Sequence, residues 1–310
     1  MKRLSALVLA LSLLLCSCAG GKPLEQNFYA MDTVMQIKIW GKDAENGYGR
    51  VITKLQNLES SWSATSENSI LWQLNNVNKL FQLEPGQAAL LAKAEQLSER
   101  TGGAFHPKMR SLSEIWGFYN EQHRIPSREE IADALADSQW DLGGAMKGYA
   151  GQQCVQILSE LDIDRALLNL GGNVQTFGTK ADGSPWQIGI QNPDGGDYLG
   201  IISVSGTMAV VTSGDYQRYF EADGIRYHHI LDPETGSPAS SGLRSVTVIC
   251  ADGMTADAFS TALFVMGLEK GSDFWRGSED FEAVFLTTDG TIYATEGANL
   301  SGCDYEVILR

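Results

Sequence analysis

Basic residues are scarce in this chain, and their scarcity excludes one large class of partners. The 310 residues include 23 lysines and arginines against 38 aspartates and glutamates, which gives a formal net charge of −15. Proteins that bind nucleic acids carry clustered positive charge that neutralises phosphates. We therefore expect no nucleic acid among the partners of this protein.

Cysteine is also scarce, and its spacing excludes two kinds of stabilising centre. The five cysteines are Cys16, Cys18, Cys154, Cys250 and Cys303. The last three are far apart and form neither a metal-binding motif nor a disulfide framework. Cys154 and Cys250 lie in apolar segments, so we predict that both are small core residues.

Long hydrophobic runs are missing apart from one at the N-terminus. Residues 4–15 are apolar and follow Lys2 and Arg3, but the run is too short to span a membrane. A small residue then precedes Cys18, which is typical of a bacterial lipoprotein signal. We predict a signal peptide over residues 1–17 and lipidation of Cys18, with a plain secretory signal as the alternative.

The predicted processing also fixes the expected location of the mature chain. Loss of Lys2 and Arg3 changes the charge from −15 to −17 (−15 − 2), so no basic face would attract anionic lipid. An acyl anchor on Cys18 would hold the protein at the outer face of a bacterial membrane or at the cell surface. We predict a polar tether over residues 18–27 and one folded domain over residues 28–310.

The remaining sequence has no repeat and no segment of low complexity. Helical spacing of apolar residues predominates in the first half, and strand-like alternation or short apolar runs predominate in the second. The predicted helices include residues 44–58, 87–100 and 146–161, and the predicted strands include residues 165–170 and 245–251. This segregation favours a single compact α+β domain with an antiparallel or mixed sheet.

A glycine-rich turn precedes the helix predicted over residues 146–161. Asp141 is followed by Gly143 and Gly144, and Lys147 lies in the first turn of the helix. Helix starts attract anions because their first N–H groups lack partners. The spacing is not that of a Walker A loop. The motif alone is compatible with a phosphate site or with an ordinary tight turn.

A second candidate lies at the start of a helix predicted over residues 255–266. Asp257 and Thr261 are four residues apart and share one helix face. Carboxylate and hydroxyl oxygens suit Mg²⁺. The alternative is helix capping, with Thr255 as N-cap and Asp257 interacting with the helix dipole.

Two adjacent histidines, His228 and His229, precede an Asp-Pro turn. Side chains of neighbouring residues on a strand point to opposite faces, so the pair is poorly suited to share a metal. One histidine could act as a general base or contact an anion near neutral pH, and simple solvation is the alternative. No serine-hydrolase triad or nucleophile elbow is present.

These segments occur in the order typical of one family. The chain resembles the ApbE-type flavin transferases from about Phe28 to its final hairpin. The resemblance rests on seven motifs: Met31-x-Thr33, Trp116-Gly117-Phe118, Asp141-Leu142-Gly143-Gly144-x-x-Lys147-Gly148-Tyr149-Ala150, Leu170-Gly171-Gly172-Asn173, Trp186 to Ile190, His229-Ile230-Leu231-Asp232-Pro233-x-Thr235-Gly236 and Ala256-Asp257-Ala258-x-Ser260-Thr261-Ala262.

The resemblance implies transfer of FMN from FAD to a threonine or serine of an acceptor protein, with Mg²⁺ as cofactor and AMP as the leaving product. It also implies roles for individual residues. Asp141 and Lys147 would contact FAD, Met31 would pack near the flavin, and Ile230 and Leu231 would line the FAD site. The Gly144 carbonyl, Asp257, the Ser260 carbonyl and the Thr261 hydroxyl would hold Mg²⁺, and His229 would be the base or phosphate contact.

The acceptors implied by the resemblance are flavinylated subunits of sodium-pumping NADH:quinone oxidoreductase or Rnf-type complexes, or other extracytoplasmic flavoproteins. The chain departs from the family pattern at Asp32, at residues 105–108 and at residues 62–65, where the family has Met-Gly-Thr, Phe-Asp-x-Thr and Phe-Ser followed by tyrosine. Two alternatives therefore stay open. They are an FAD pyrophosphatase that releases FMN and AMP, and a flavin-binding lipoprotein without catalysis.

Overall fold

The computed structural model describes residues 21–77, 82–119 and 122–310. Within these ranges there are seven helices: α1 Ala44–Trp62, α2 Ile70–Asn76, α3 Pro85–Arg100, α4 Arg110–Ile115, α5 Arg128–Ala136, α6 Met146–Ser159 and α7 Gly253–Arg276. The strands of the described ranges are β1 Leu24–Ala30, β2 Thr33–Gly41, β3 Ile163–Leu170, β4 Asn173–Phe177, β5 Trp186–Ile190, β6 Gly200–Val204, β7 Ala209–Gly214, β8 Tyr219–Ala222, β9 Ile225–His228, β10 Leu243–Cys250, β11 Phe281–Thr287, β12 Ile292–Thr295, β13 Leu300–Ser301 and β14 Glu306–Ile308.

A nine-stranded sheet with the order β1-β2-β3-β4-β7-β10-β11-β12-β14 organises the molecule. Neighbouring strands are antiparallel except for β12 and β14, which run parallel. Helices α1, α6 and α7 cover one face and form the main core with it. A smaller sheet, β13-β6-β5, packs against part of the opposite face. The predicted α+β class is confirmed.

The central strands are buried on both faces, which explains their nearly continuous apolar sequences. In β10, Val246 and Val248 point into the helix-side core while Ile249 points to the smaller sheet. Strand β11 repeats this pattern, with Phe285 on the helix side and Leu286 on the other. The two-residue period of a strand sends alternate side chains into two separate cores. The same pattern buries Cys250, and Cys154 is buried in α6, as predicted.

The edge of the sheet begins earlier in the chain than the sequence indicated. Leu24 pairs with Ile39, and the antiparallel register continues to the turn after Ala30. Residues 24–27, which were assigned to the polar tether over residues 18–27, are therefore part of β1. The two-residue alternation of apolar and polar side chains is hard to recognise in these residues, because only Ala30 of this edge strand is buried. The signal over residues 1–17 and Cys18 lie outside the described residues.

Helix α7 is longer than predicted and contains a break. The prediction ended the helix at Met266, and Gly267 interrupts the helical geometry with φ 78° and ψ 179° before the chain continues helically to Arg276. A glycine accepts this positive φ without the steric cost of a Cβ. No helix of the described residues is both long enough and apolar enough to cross a membrane.

A third, smaller cluster joins α4 and α5 to the β8–β9 hairpin. The hairpin turns at Asp223 and Gly224, both with positive φ, as the Asp-Gly signal predicts. Trp116 packs in this cluster, and its indole N–H donates to the Gly236 carbonyl at 2.8 Å. These contacts tie the segment after β9, which contains His229, to the helical first half of the chain.

Candidate active site

Two segments that are more than a hundred residues apart in sequence meet at the first turn of α6. The Gly148 N–H donates to Oδ2 of Asp257 in α7 at 2.8 Å. A Cβ placed on Gly148 would lie 2.0 Å from the carbonyl oxygen of Gly253. The two helices can therefore touch only because position 148 has no side chain. This contact places the start of α6, directly after the glycine-rich turn, beside Asp257.

Gly144 and Thr261 also lie side by side. A Cβ added to Gly144 would be 3.4 Å from Oγ1 of Thr261 and 3.3 Å from the ring of Phe105. Asp257, a residue that is 4% exposed, lies on the same helix face as Thr261. Three of the four predicted metal-binding residues are thus brought together by the fold.

Helix capping does not account for Asp257. The N-cap of α7 is Asp252, whose side chain accepts from the Thr255 N–H at 2.8 Å. Asp257 lies a full turn further along, where its carboxylate accepts from the Gly148 N–H. The prediction of Thr255 as a possible N-cap is wrong, because Asp252 already occupies that position.

The donor atoms at this point fit a hard cation. Among the described residues, no group of three histidine, cysteine or acidic side chains could hold a metal, so a cation here would depend on carbonyl and hydroxyl oxygens beside one carboxylate. Such an all-oxygen set with few protein ligands suits Mg²⁺, which keeps positions for phosphate oxygens and water. The residues present therefore fit the ion that the resemblance implies.

The hydroxyl group of Ser260 forms hydrogen bonds within the protein on both sides. Its Oγ donates to the Asp257 carbonyl at 2.8 Å and lies 2.8 Å from Oγ of Ser213 in β7. Ser213 also lies 3.3 Å from Oγ1 of Thr261. Ser213 lies outside the seven motifs on which the family resemblance rests. Its position opposite α7 depends on which face of β7 meets the helix.

Asp141 supports the turn that precedes α6. Its carboxylate accepts from the Gly143 N–H at 2.9 Å and from Ser113 Oγ at 3.4 Å. Burial, together with the charge of Asp141 and a hydrogen bond to it, raises the pKa of Tyr119 well above its ordinary value. Tyr119 is therefore a neutral donor beside this carboxylate. Contact between Asp141 and FAD stays a prediction.

Lys147 is partly buried, and no hydrogen bond or ion pair to another described residue engages its ammonium group. It is close enough to His229 for its charge to help lower the pKa of that histidine. The largest cause of that lowering is burial, followed by the charges of Arg218 and Lys147, and the pKa falls to about 3. A free ammonium group near a neutral imidazole suits an anionic phosphate substrate.

The hydrogen bond of His229 fixes which ring nitrogen carries the proton. Nδ1 lies 3.2 Å from the Arg218 carbonyl oxygen. Since a carbonyl oxygen only accepts, Nδ1 must carry the hydrogen, and in the neutral ring Nε2 keeps its lone pair. His228 points the other way, into the core against Phe264, as expected of neighbouring strand residues. The arrangement leaves His229 Nε2 free to accept a proton.

Ile230 and Leu231 are buried in two different clusters. Ile230 belongs to the main core, and Leu231 packs in the third cluster with Leu112 and Trp116. Their side chains therefore have packing roles in the structure. The prediction that they line the FAD site is not tested by these contacts.

The β1–β2 turn brings Met31 to the same region. Met31 and Asp32 both have positive φ, 50° and 58°, the geometry of a type I′ hairpin turn. The Met31 N–H donates to Glu59 Oε1 at 2.7 Å, and Asp32 lies 4.0 Å from Arg218. Aspartate tolerates the left-handed conformation, so Asp32 can replace the usual glycine here without disrupting the turn.

In this α+β domain, oxygen atoms suited to a hard cation lie at the start of α6, beside the ammonium group of Lys147, which pairs with no other described residue and influences the imidazole of His229. Such a combination suits an enzyme of the phosphoryl-transfer class, in which catalysis depends on positioning and electrostatic stabilisation.

The sequence model of the ApbE family matches residues 31–285, and the chain belongs to this family. The FAD:protein FMN transferase of Treponema pallidum is 30% identical over 91% of this chain and 90% of its own length. The enzyme of the same name from Klebsiella pneumoniae is 35% identical over 66% of this chain and 69% of its own length.

Solved structures agree with the family assignment. The ApbE protein of Thermotoga maritima superposes with a TM-score of 0.83 at 34% identity, covering 89% of this chain and 97% of that structure. The flavinyl transferase ApbE of Pseudomonas stutzeri, in its apo form, gives a TM-score of 0.77 at 30% identity over 89% and 96% of the two chains. The chain is therefore an enzyme of the transferase class.

Proposed function

We propose that this protein transfers FMN from FAD to a threonine or serine side chain of an extracytoplasmic acceptor protein and releases AMP. The names of its relatives support flavin transfer. The observation that carries the proposal is the meeting of Gly144, Asp257 and Thr261 at the start of α6. Such a set of oxygen donors beside a free lysine suits a pyrophosphate.

In the proposed reaction, the acceptor hydroxyl oxygen attacks the FMN phosphorus of FAD. A new phosphoester bond forms, and the bond from that phosphorus to the bridging oxygen breaks, so that AMP leaves with the electron pair. Nε2 of His229 accepts the hydroxyl proton, since its lone pair is available and burial keeps the ring neutral. The Lys147 ammonium offsets negative charge on the phosphates.

The residues proposed to hold Mg²⁺ are the Gly144 carbonyl, the Asp257 carboxylate, the Ser260 carbonyl and the Thr261 hydroxyl. When bound, Mg²⁺ would supply positive charge to the pyrophosphate oxygens. Asp257 is the single carboxylate in this set. The chain itself is strongly acidic, so a cation at this position would also offset repulsion between the protein and an anionic dinucleotide.

The proposal is tested by incubating the protein with FAD, Mg²⁺ and an acceptor that carries the motif Asp-x-x-(Ser/Thr)-Gly-Ala-(Ser/Thr). We expect fluorescent flavin to remain on the acceptor after denaturing electrophoresis, in amounts matching the AMP released. Omission of Mg²⁺, and replacement of the modified hydroxyl residue by alanine, are the controls. Absence of acceptor-bound flavin would refute transfer.

A second candidate function, FAD hydrolysis, is favoured by the two departures from the family pattern near the site. His106 Nδ1 accepts from the Lys108 N–H at 3.2 Å, and Thr65 contacts Ser63 at 3.2 Å, so both side chains interact within their own loops. Free FMN and AMP formed without an acceptor would support this activity. Tight FAD binding with neither product would support a flavin-binding protein without catalysis.

We further propose that Cys18 is lipidated and holds the enzyme outside the cytoplasmic membrane. The acceptors would then be flavinylated subunits of sodium-pumping NADH:quinone oxidoreductase or Rnf-type complexes, or other extracytoplasmic flavoproteins. A Cys18→Ala variant should lose labelling by a fatty-acid probe and move from the membrane fraction to the soluble fraction. Unchanged labelling would contradict the assignment, and Cys16→Ala is the matched control.

A further inference from the structure

Three hydroxyl groups form a short chain between β7 and α7. Ser213 of β7 lies between Ser260 and Thr261 of α7, at Oγ–Oγ and Oγ–Oγ1 distances of 2.8 and 3.3 Å. Ser260 also donates to the Asp257 carbonyl at 2.8 Å. Ser213 is 9% exposed and Ser260 is fully buried. Little water is therefore available to replace these contacts.

The direction of every hydrogen bond in this chain follows from counting protons. A hydroxyl group has one hydrogen to donate and two lone pairs to accept with. Ser260 uses its hydrogen on the Asp257 carbonyl, which can only accept. Ser213 must therefore donate to Ser260, and Thr261 must donate to Ser213. The polarity runs from Thr261 through Ser213 and Ser260 to the carbonyl of Asp257.

This polarity decides what Thr261 presents to the site. Its hydrogen points towards Ser213, so the lone pairs of Oγ1 are left for the side where Gly144 lies. A cation needs the lone pairs of a hydroxyl and is repelled by its hydrogen. We infer that Ser213 is a positioning residue, which orients the Thr261 hydroxyl so that it can bind a divalent cation.

The inference rests on the proposed function, because that proposal makes Thr261 a metal-binding residue. It adds a residue that would not touch the ion and acts through another side chain. Groups of this kind typically change metal affinity 10- to 100-fold when they are removed. Without Ser213 as acceptor, the Thr261 hydroxyl would be free to turn its hydrogen towards the cation.

The chain offers a matched control on the neighbouring strand β10. Thr212 precedes Ser213 and pairs across the sheet with Thr247 of β10, with the two hydroxyl oxygens 2.8 Å apart. The period of the strand places Thr212 on the face away from α7. Thr247→Val removes the buried hydroxyl group that pairs with Thr212, just as Ser213→Ala removes the hydroxyl group that pairs with Thr261. The hydrogen bond of Thr261 is not affected by Thr247→Val.

The experiment measures Mn²⁺ binding by electron paramagnetic resonance, on the full folded domain with saturating FAD, in the wild type, Ser213→Ala and Thr247→Val. We expect the Mn²⁺ dissociation constant to rise about tenfold in Ser213→Ala and to remain unchanged in Thr247→Val. Thermal unfolding of both variants reports any general loss of structure. An unchanged dissociation constant in Ser213→Ala would overturn the inference while leaving the proposed function in place.

A double-mutant cycle separates positioning from a general packing effect. Because Ser213 would act only through Thr261, the double variant Ser213→Ala/Thr261→Val should bind Mn²⁺ as weakly as Thr261→Val alone. Additive losses would show that Ser213 acts by another route. If the wild type binds no Mn²⁺ with FAD present, the metal part of the proposed function fails and this inference fails with it.

Discussion

Asp257 shows how much of the candidate chemistry depends on single side chains. Its carboxylate is buried at the contact between α6 and α7, and one described donor, the Gly148 N–H, reaches it. A buried carboxylate with so few partners is costly unless positive charge compensates it. Asp252 already caps α7, so helix capping does not explain why a carboxylate is buried at position 257.

Asp257→Asn should lower the rate of Mg²⁺-dependent FMN transfer by about 100-fold or more, since the charge is lost while the amide oxygen can still accept from Gly148. The rate is measured from acceptor-bound flavin fluorescence. Asp280→Asn is a suitable comparison, because it breaks a half-exposed ion pair with Arg100 elsewhere in the molecule. Similar transfer rates in the two variants would argue against a metal-binding role for Asp257.

His229 should remain neutral far below the usual pH range of histidine. Burial and the nearby charges of Arg218 and Lys147 lower its pKa from 6.5 to about 3. We expect the ring nitrogen chemical shifts of His229 to stay constant from pH 8 to pH 5 in ¹⁵N NMR. Loss of the signals in His229→Gln assigns them, and a titration near pH 6.5 would contradict the prediction.

The same shift has a consequence for stability. Below about pH 6.5 the unfolded chain takes up a proton at His229, whereas the folded protein does so only near pH 3. The depressed pKa therefore makes the folded state progressively less stable as the pH falls between these values. Urea unfolding of His229→Gln should show a smaller loss of stability between pH 7 and pH 4 than the wild type shows.

At the scale of elements, the crossing of α6 and α7 determines the geometry of the site. The backbones approach so closely that a Cβ on Gly148 would lie 2.0 Å from the Gly253 carbonyl oxygen and 2.7 Å from the Asp257 Cβ. No flexible side chain could move aside to relieve the first of these contacts, because the opposing atom belongs to the backbone. The two helices would have to separate.

Gly148→Ala should therefore destabilise the protein by about 2 kcal/mol or more and weaken Mn²⁺ binding, because Asp257 moves with α7. Gly49→Ala is the matched control. Gly49 lies within α1, and a Cβ there meets nothing within 4 Å, so alanine should stabilise the helix by roughly 1 kcal/mol. Urea unfolding measures both effects. A neutral Gly148→Ala variant would show that the helices can separate without cost.

At the scale of the whole molecule, β1 forms one edge of the large sheet. Residues 24–27 pair with residues 36–39 of β2, and Glu25 adds an ion pair with Lys38 at 3.0 Å. This part of the strand follows directly on the predicted membrane tether. The folded domain and the tether therefore meet at about Lys22, several residues before the boundary that the sequence indicated.

A chain that begins at Lys22 should retain the stability and FMN transfer activity of the longer protein in solution. A chain that begins at Phe28 loses four of the seven residues of β1. It should unfold at least about 2 °C lower, because each lost ladder hydrogen bond contributes roughly 1 kcal/mol. Thermal unfolding by circular dichroism compares the two chains. Equal midpoints would show that residues 24–27 add nothing to the fold.

Much of the fold was accessible from local patterns. The helices predicted over residues 44–58, 87–100 and 146–161 correspond to α1, α3 and α6, and the strands predicted over residues 165–170 and 245–251 correspond to β3 and β10. Each depends on the dihedral preferences or periodicity of a few neighbouring residues. Strand β1 was missed because an edge strand buries little, so its period of two is weak in the sequence.

The sequence by itself determined the ordered motifs, the family resemblance and the residue types available for chemistry, because these are properties of short segments. Only the tertiary structure decided that Gly148 donates to Asp257, that Ser213 lies between Ser260 and Thr261, and that burial lowers the pKa of His229. Those facts depend on how closely two helices cross and on which face of a strand meets them. Distances between segments a hundred residues apart follow from the packing of the whole core.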